Sequence, residues 1–234
     1  MTPRASIVIP VYNEGAAIIA CLERLIESVT TECEILVVFD TPDDSTREPG
    51  EDFARAHPVV KPTLNTYGRG PAHAIRYGID HSSAPVVVVT MADGSDDATQ
   101  IDAMIRLVER GVAIAVASRY MAGGSQLGAP FVKSLMSRLA GLSLCWFARV
   151  GTHDATSSFK AYDRGFVQRV GIESDAGFEI AIELVAKARR HRLPVAEIPT
   201  IWLERTTGES NFKVVKWLPR YLHWYRYAFG RRIS

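Results

Sequence analysis

Acidic and basic residues recur just after apolar runs in this chain, and that placement is the first chemical signal. Glu14 follows "SIVIPV", Asp40 follows "EILVVF", and Arg119 follows "VAIAVAS". Asp93, Asp96 and Asp97 close the stretch "VVVVTMADGSDD". A single Asp in such a place is readily a loop cap or a helix N-cap. Repetition after successive runs favours a shared cleft instead. Carboxylates combined with diphosphate oxygens form the hard oxygen shell that Mg²⁺ or Mn²⁺ takes. A dication held there neutralises charge on a departing phosphate. Met91 stands where such a site is expected to place another acid.

The elements that must carry these residues follow from hydrophobic patterning. "SIVIPV", "EILVVF", "APVVVVT" and "VAIAVAS" are continuous apolar runs, the pattern of strands buried on both faces. Amphipathic stretches alternate with them, with helices expected over about 16–28, 70–81 and 98–110. "DTPDDST" reads as a loop. Alternation of this kind implies an α/β fold with a largely parallel sheet and helical crossovers. Ligands of such sheets sit beyond the carboxyl ends of the strands, where Asn13–Glu14, Asp40, Asp93 and Ser118–Arg119 fall. Beyond Gly124 the pattern changes. A helix is expected near 129–149, then the polar "THDATSSFKAY", a helix near 178–191, and one strand through "VAEIPTIWLER", with Pro199 favouring an edge or a bend.

Bulk properties remove several function classes. The 234 residues carry 27 Lys and Arg against 26 Asp and Glu, a net charge of +1, so global charge offers no argument for nucleic-acid binding. Three scattered cysteines, Cys21, Cys33 and Cys145, form no CxxC and read as reduced thiols of a cytoplasmic protein. The chain opens without the regions of a signal peptide. Its longest strongly apolar stretch, Leu139 to Ala148, is about half of the roughly 20 residues a spanning helix needs. After Glu209 no acid occurs, whereas Lys213, Lys216, Arg220, Arg226, Arg231 and Arg232 are basic. Trp217, Tyr221 and Trp224 recur among them at helical spacing. This tail reads in two ways: an amphipathic helix at a membrane surface, or a helix packing its aromatics on the core. The economical division is a catalytic domain over 1–212 and a basic, aromatic C-terminal extension over 213–234.

The order of blocks then adds a resemblance. "IVIPVYNE", "VVFDTPDDST", "GRGPAHAIRYG", "VVTMADGSDD", "ASRYMAGG", "DATSSFKAY", "GFEIAIELVAKA" and "EIPTIWLERTTGESNF" resemble the successive blocks of family-2 glycosyltransferases of the GT-A fold. The branch they are most similar to makes dolichol-phosphate mannose and related polyprenyl-phosphate sugars. The resemblance implies a nucleotide site formed by Pro10, Tyr12, Glu14, Asp40, Arg69, Gly70 and Asp93, with Asp40 reading the base. It implies Asp93 as chief metal contact and Ser95 at the next metal-side position, with Asp96 and Asp97 able to compensate for Met91. It implies Arg119, Lys133 and Ser137 at the acceptor phosphate, and Arg205 near the diphosphate or acceptor. Lys133 and Ser137, four apart, share a helix face. Gly208–Glu209–Ser210 resembles a loop that orders on substrate binding, and Asp154 and Glu179 fall in family blocks as sugar or supporting contacts.

The implied reaction is inverting transfer of a mannose- or glucose-type sugar from GDP-mannose or UDP-glucose to a polyprenyl phosphate. A phosphate monoester has a second pKa near 6 and is already a dianion at neutral pH, so no general base is assigned. Catalysis then falls to Asp93, Arg119 and Arg205. The chain is expected to work as a peripheral protein on the cytoplasmic face of a membrane. Two other readings stay open: a hydroxyl acceptor, with Asp154 or Glu179 as base, and a non-catalytic nucleotide-sugar-binding subunit.

Overall fold

The computed structural model describes residues 2–128, 131–204 and 214–233. The first half alternates strand and helix: β1 (Ala5–Val11), α1 (Ala17–Ser28), β2 (Cys33–Phe39), α2 (Arg47–Ala56), β3 (Val60–Leu64), α3 (Pro71–His81) and β4 (Val86–Val89). A short 3-10 turn, Ala98–Gln100, leads into α4 (Ile101–Glu109), followed by β5 (Ile114–Ser118) and the three-residue β6 (Ser125–Leu127). α5 (Phe131–Ser143) continues into a π-helical turn, Leu144–Ala148, which Arg149 ends in the left-handed conformation. Then come β7 (Lys160–Asp163), α6 (Arg164–Val170), α7 (Ile180–Arg190), β8 (Val195–Pro199), β9 (Ile201–Leu203) and α8 (Val214–Ala228).

Seven strands form one sheet in the order β3-β2-β1-β4-β7-β5-β8, and β6 pairs with β9 in a second, two-stranded sheet. β7 alone runs antiparallel to its neighbours β4 and β5; the other pairings are parallel. The run expected as one strand through "VAEIPTIWLER" is two: β8 on the sheet edge and β9 beyond it, separated by Thr200. Pro199 ends β8, consistent with an edge or bend.

Burial explains the continuous apolar runs. Val8, Val38, Val87 and Val116 face one core with α3, α7 and Trp224 of α8, whereas Ile7, Ile9, Val37 and Val88 face the other with α1 and α4. The sheet is therefore covered on both sides. α3 lies tight on β1 because Gly78 has no side chain; a Cβ there would come within 2.3 Å of Val8 Cγ1. The tail joins this core: Trp224 and Ala228 are buried, and Tyr221, Tyr225 and Tyr227 pack beside them. Other apolar residues of the tail, Leu218, Leu222 and Phe229, are exposed. No helix among the described residues is long and apolar enough to cross a membrane.

Candidate active site

Strand order dictates where the polar ends meet. β1 has β2 on one side and β4 on the other, so the crossovers diverge around it and a crevice opens at the carboxyl ends. Pro10 is buried within β1, and Tyr12, just past its end, is 56% exposed. The loop at Asn13 and Glu14 is held by the neighbouring loop: Asn13 N–H donates to both carboxylate oxygens of Asp44 at 3.1 Å, and Glu14 N–H donates to Thr46 Oγ1 at 3.0 Å. Asp40, past β2, accepts from Asn65 Nδ2 at 2.8 Å and from Gly70 N–H at 2.7 Å. Its carboxylate thus ties the end of β2 to the loop bearing Arg69 and Gly70. Gly70 needs to be glycine: its φ is +118°, and a Cβ would meet the Ala176 carbonyl oxygen at 2.7 Å.

The acids after β4 have separate tasks. Asp93 Oδ1 accepts from Ser95 N–H at 3.1 Å and from Ser95 Oγ at 2.6 Å. Asp96 turns back to the strand end, where its Oδ2 accepts from Thr90 Oγ1 at 3.0 Å and Met91 N–H at 3.1 Å. Burial, together with the nearby Asp93 carboxylate, pushes the Asp96 carboxyl up to about 7. Asp97 caps the 3-10 turn through Thr99 N–H at 3.1 Å and Thr99 Oγ1 at 2.6 Å. The helix-cap reading of this stretch therefore holds for Asp97, while Asp93 and Asp96 face a cavity.

That cavity, about 310 Å³, has Asp93, Ser95, Arg119, Ser137 and Thr156 among its polar lining. Met136, Ala140, Ile182, Leu218 and Leu222, from α5, α7 and α8, are among its apolar lining. Arg119 is 12% exposed and Asp154 is fully buried, and they form a two-pronged pair: Nε to Oδ2 at 2.7 Å and an Nη to Oδ1 at 2.8 Å. Burial opposes both charges, and each ion outweighs that cost for the other. The Asp154 carboxyl is therefore lowered and the guanidinium raised. The same Arg119 Nη lies 3.5 Å from Ser137 Oγ, which shares a 2.7 Å hydrogen bond with Thr156 Oγ1. Beneath them Lys160 is fully buried and donates to the carbonyls of Ala155 and Ser157.

The structure thus gathers Asp93, Ser95, Arg119 and Ser137 around one cavity. Pro10, Tyr12, Glu14, Asp40, Arg69 and Gly70 stand at the neighbouring strand ends instead. The Lys133 side chain, Arg205 and the Gly208–Glu209–Ser210 loop lie outside the described residues. Two expectations are corrected. Asp154 is not placed as a base, because its carboxylate is consumed by Arg119 and by Ser157 N–H at 3.2 Å. Glu179 is not either: it accepts from Ala176 N–H at 3.2 Å and Gly177 N–H at 2.8 Å, bracing the turn before α7. Asp96 and Asp97 hydrogen-bond to the strand end and to the 3-10 turn, and Asp96 lines the cavity with Asp93. Sequence reasoning passed over Thr156, Trp202, Glu204 and Tyr221, which line the cavity from short or distant elements.

Comparison with known proteins agrees with this geometry. Polyprenol monophosphomannose synthase of Mycolicibacterium smegmatis is 27% identical over 232 residues, covering 92% of this chain and 87% of that protein. Dolichol-phosphate mannosyltransferase of Pyrococcus furiosus is 30% identical over 217 residues, covering 90% of this chain and 59% of the relative. Among solved structures, the mannosyltransferase PcManGT of Pyrobaculum calidifontis, in complex with GDP-Man and Mn²⁺, superposes with a TM-score of 0.63 at 20% identity, covering 90% of this chain and 59% of that one. Glucosyl-3-phosphoglycerate synthase of Mycobacterium tuberculosis, with Mn²⁺, UDP and glucosyl-3-phosphoglycerate, gives 0.69 at 16% identity, covering 99% and 82%. These two likenesses carry the fold, GT-A. Residues 6–171, which contain every strand end described above from β1 to β5, match glycosyl transferase family 2, and the chain belongs to that family.

Proposed function

We propose that this chain transfers a mannose- or glucose-type sugar from a nucleoside diphosphate sugar to a polyprenyl or dolichyl phosphate, with inversion at the anomeric carbon. One observation carries this reading: a single cavity is lined both by Asp93, Arg119 and Ser137 and by apolar side chains of α5, α7 and α8. An acceptor with a phosphate head and a hydrocarbon tail matches both kinds of lining. Relatives named for polyprenol, dolichol and undecaprenyl phosphates support that acceptor class. The same names, with the GDP-Man complex, favour GDP-mannose as donor over UDP-glucose.

Asp93 and Ser95 are the groups that would hold a divalent cation, Mg²⁺ or Mn²⁺. Both offer hard oxygens, and Ser95 keeps lone pairs while donating to Asp93. The Met91 thioether is a poor ligand for either ion, so most of the shell falls to the diphosphate. When bound, the cation neutralises charge on the leaving diphosphate. The chain's own residues do the positioning. Ser95 fixes the Asp93 carboxylate. Asp154 holds Arg119 with its guanidinium beside Ser137, aimed at the acceptor phosphate. The family resemblance gives Lys133 and Arg205 to the same phosphate, and gives Pro10, Tyr12, Glu14, Asp40, Arg69 and Gly70 to the nucleotide.

The phosphate dianion attacks without proton removal, which is consistent with the engagement of both Asp154 and Glu179 elsewhere. The tail serves as cavity wall through Leu218, Tyr221, Leu222 and Tyr225, and also as a docking segment. The exposed Phe229 of the tail, together with Trp146 and Phe147 at 64% and 74% exposure, suits an anionic membrane surface. Mass spectrometry after incubation with undecaprenyl phosphate, Mn²⁺ and each donor tests the reading. A polyprenyl-phosphosugar is the expected product; transfer only to sugar hydroxyls would overturn the acceptor.

A further inference from the structure

Most polar groups of the cavity are mutually satisfied. Arg119 has Asp154, Ser137 has Thr156, and Gln126 Oε1 accepts from Tyr120 Oη at 3.0 Å and Ser134 Oγ at 2.9 Å. Glu204 differs: it lines the same cavity, and its Oε2 is buried with no hydrogen-bond partner. Its position is fixed by backbone on two sides. Glu204 N–H donates to the Leu127 carbonyl at 2.9 Å, and Leu203 N–H donates to the Ser95 carbonyl at 3.2 Å. The carboxylate therefore stands on a strand end joined directly to the loop of Asp93.

A buried carboxylate oxygen without a donor weakens the fold until a ligand supplies one. The chemistry of that ligand can be narrowed. Phosphate groups at neutral pH bring acceptors and negative charge, which this oxygen repels. The divalent cation proposed above is given to Asp93 and Ser95, which leaves Glu204 Oε2 to a neutral donor. A hydroxyl brings an O–H donor without charge. Trp202 lines the cavity two residues earlier, with the Arg119 guanidinium 6.0 Å from its ring centroid. An aromatic wall beside a carboxylate acceptor suits a sugar ring, whose C–H face is apolar and whose edge carries hydroxyls.

We infer that Glu204 is a specificity-determining residue that accepts a hydrogen bond from a ring hydroxyl of the transferred sugar, with Trp202 as the adjoining wall. The inference rests on the sugar-nucleotide reading above and adds to it the residue that recognises the sugar. Calorimetric binding to the full chain with Mn²⁺ tests it, using GDP-mannose, GDP, UDP-glucose and UDP as probes. Glu204→Gln is expected to weaken the favoured sugar nucleotide on the order of tenfold and to leave its nucleoside diphosphate unchanged. Equal loss for both, or no change in either, overturns the role of Glu204 alone. Failure of the wild type to bind any of the four overturns the sugar-nucleotide reading and this inference with it. Thermal unfolding of Glu204→Met gives a readout independent of binding: the midpoint is expected to hold or rise, because the lost oxygen has no partner. A clear fall would make the carboxylate structural and overturn the inference.

Discussion

Replacing Asp154 by Asn removes one charge from a buried pair while keeping the size of the side chain. The structure sets the expected cost. Asp154 is fully buried and Arg119 12% exposed, so solvent cannot replace the lost carboxylate. Both prongs of the guanidinium lose their ionic acceptor, at 2.7 and 2.8 Å, and the new amide turns an N–H₂ toward an N–H donor. Stranding one member of a buried pair costs about 3–5 kcal/mol. For a chain of this size each kcal/mol moves the midpoint by roughly 2–4 °C, so a fall on the order of 10 °C is expected. Urea unfolding followed by circular dichroism, with calorimetry in parallel, measures both quantities. Acid behaviour supplies a second signature. Because Arg119 lowers the Asp154 carboxyl, the pair stabilises the fold above the ordinary carboxylate range and loses that contribution as pH falls through the lowered value. Asp154→Asn should flatten this acid limb. A variant within about 1 kcal/mol of wild type that had nonetheless lost all turnover would refute the reasoning, because Asp154 would then act on substrate rather than on Arg119.

Other perturbations separate chemistry from scaffolding. Asp93→Asn is expected to abolish turnover with any donor while the midpoint stays within roughly 3 °C of wild type; ordinary activity at normal Mn²⁺ would misplace the cation site. Lys160, whose ammonium burial pushes down to about 7, makes stability rise with pH from about 7 to about 10, because the unfolded chain binds the extra proton there. Lys160→Met should remove that slope in urea titrations, and an unchanged slope would locate the proton elsewhere. Trp146→Glu with Phe147→Glu should weaken binding to anionic vesicles by on the order of tenfold or more in a flotation assay, a large apolar side chain being worth about 1.5–3 kcal/mol when buried. Undiminished flotation would assign docking to another face.

Much of the scaffold was legible because its signal is collective. Four runs of β-branched residues, buried on both faces, permit few folds, and polar residues just past them had to meet at the carboxyl edge. Short elements carried no such signal. β7 has four residues with Lys160 among them, and β6 and β9 have three each, too few for a period to show. α2, with "REPGEDFARA", buries only Gly50, so no apolar period marked it as a helix. The tail offered two readings because it carries both buried and exposed apolar residues, Trp224 among the first and Phe229 among the second. At the site, residue type showed which groups were ionisable but not which were already paired. Asp154 and Glu179 looked like bases until Arg119 and the 176–177 amides accounted for them. Glu204 went unnoticed for the opposite reason, since the lack of a partner is a three-dimensional fact.

The central claim is transfer to a phosphate oxygen that needs no base. A single reaction containing labelled GDP-mannose, Mn²⁺ and equal amounts of undecaprenyl phosphate and undecaprenol tests it most directly. The account predicts that label enters the phosphate ester alone, with the inverted anomer. Label on the alcohol, or on both acceptors alike, would contradict it.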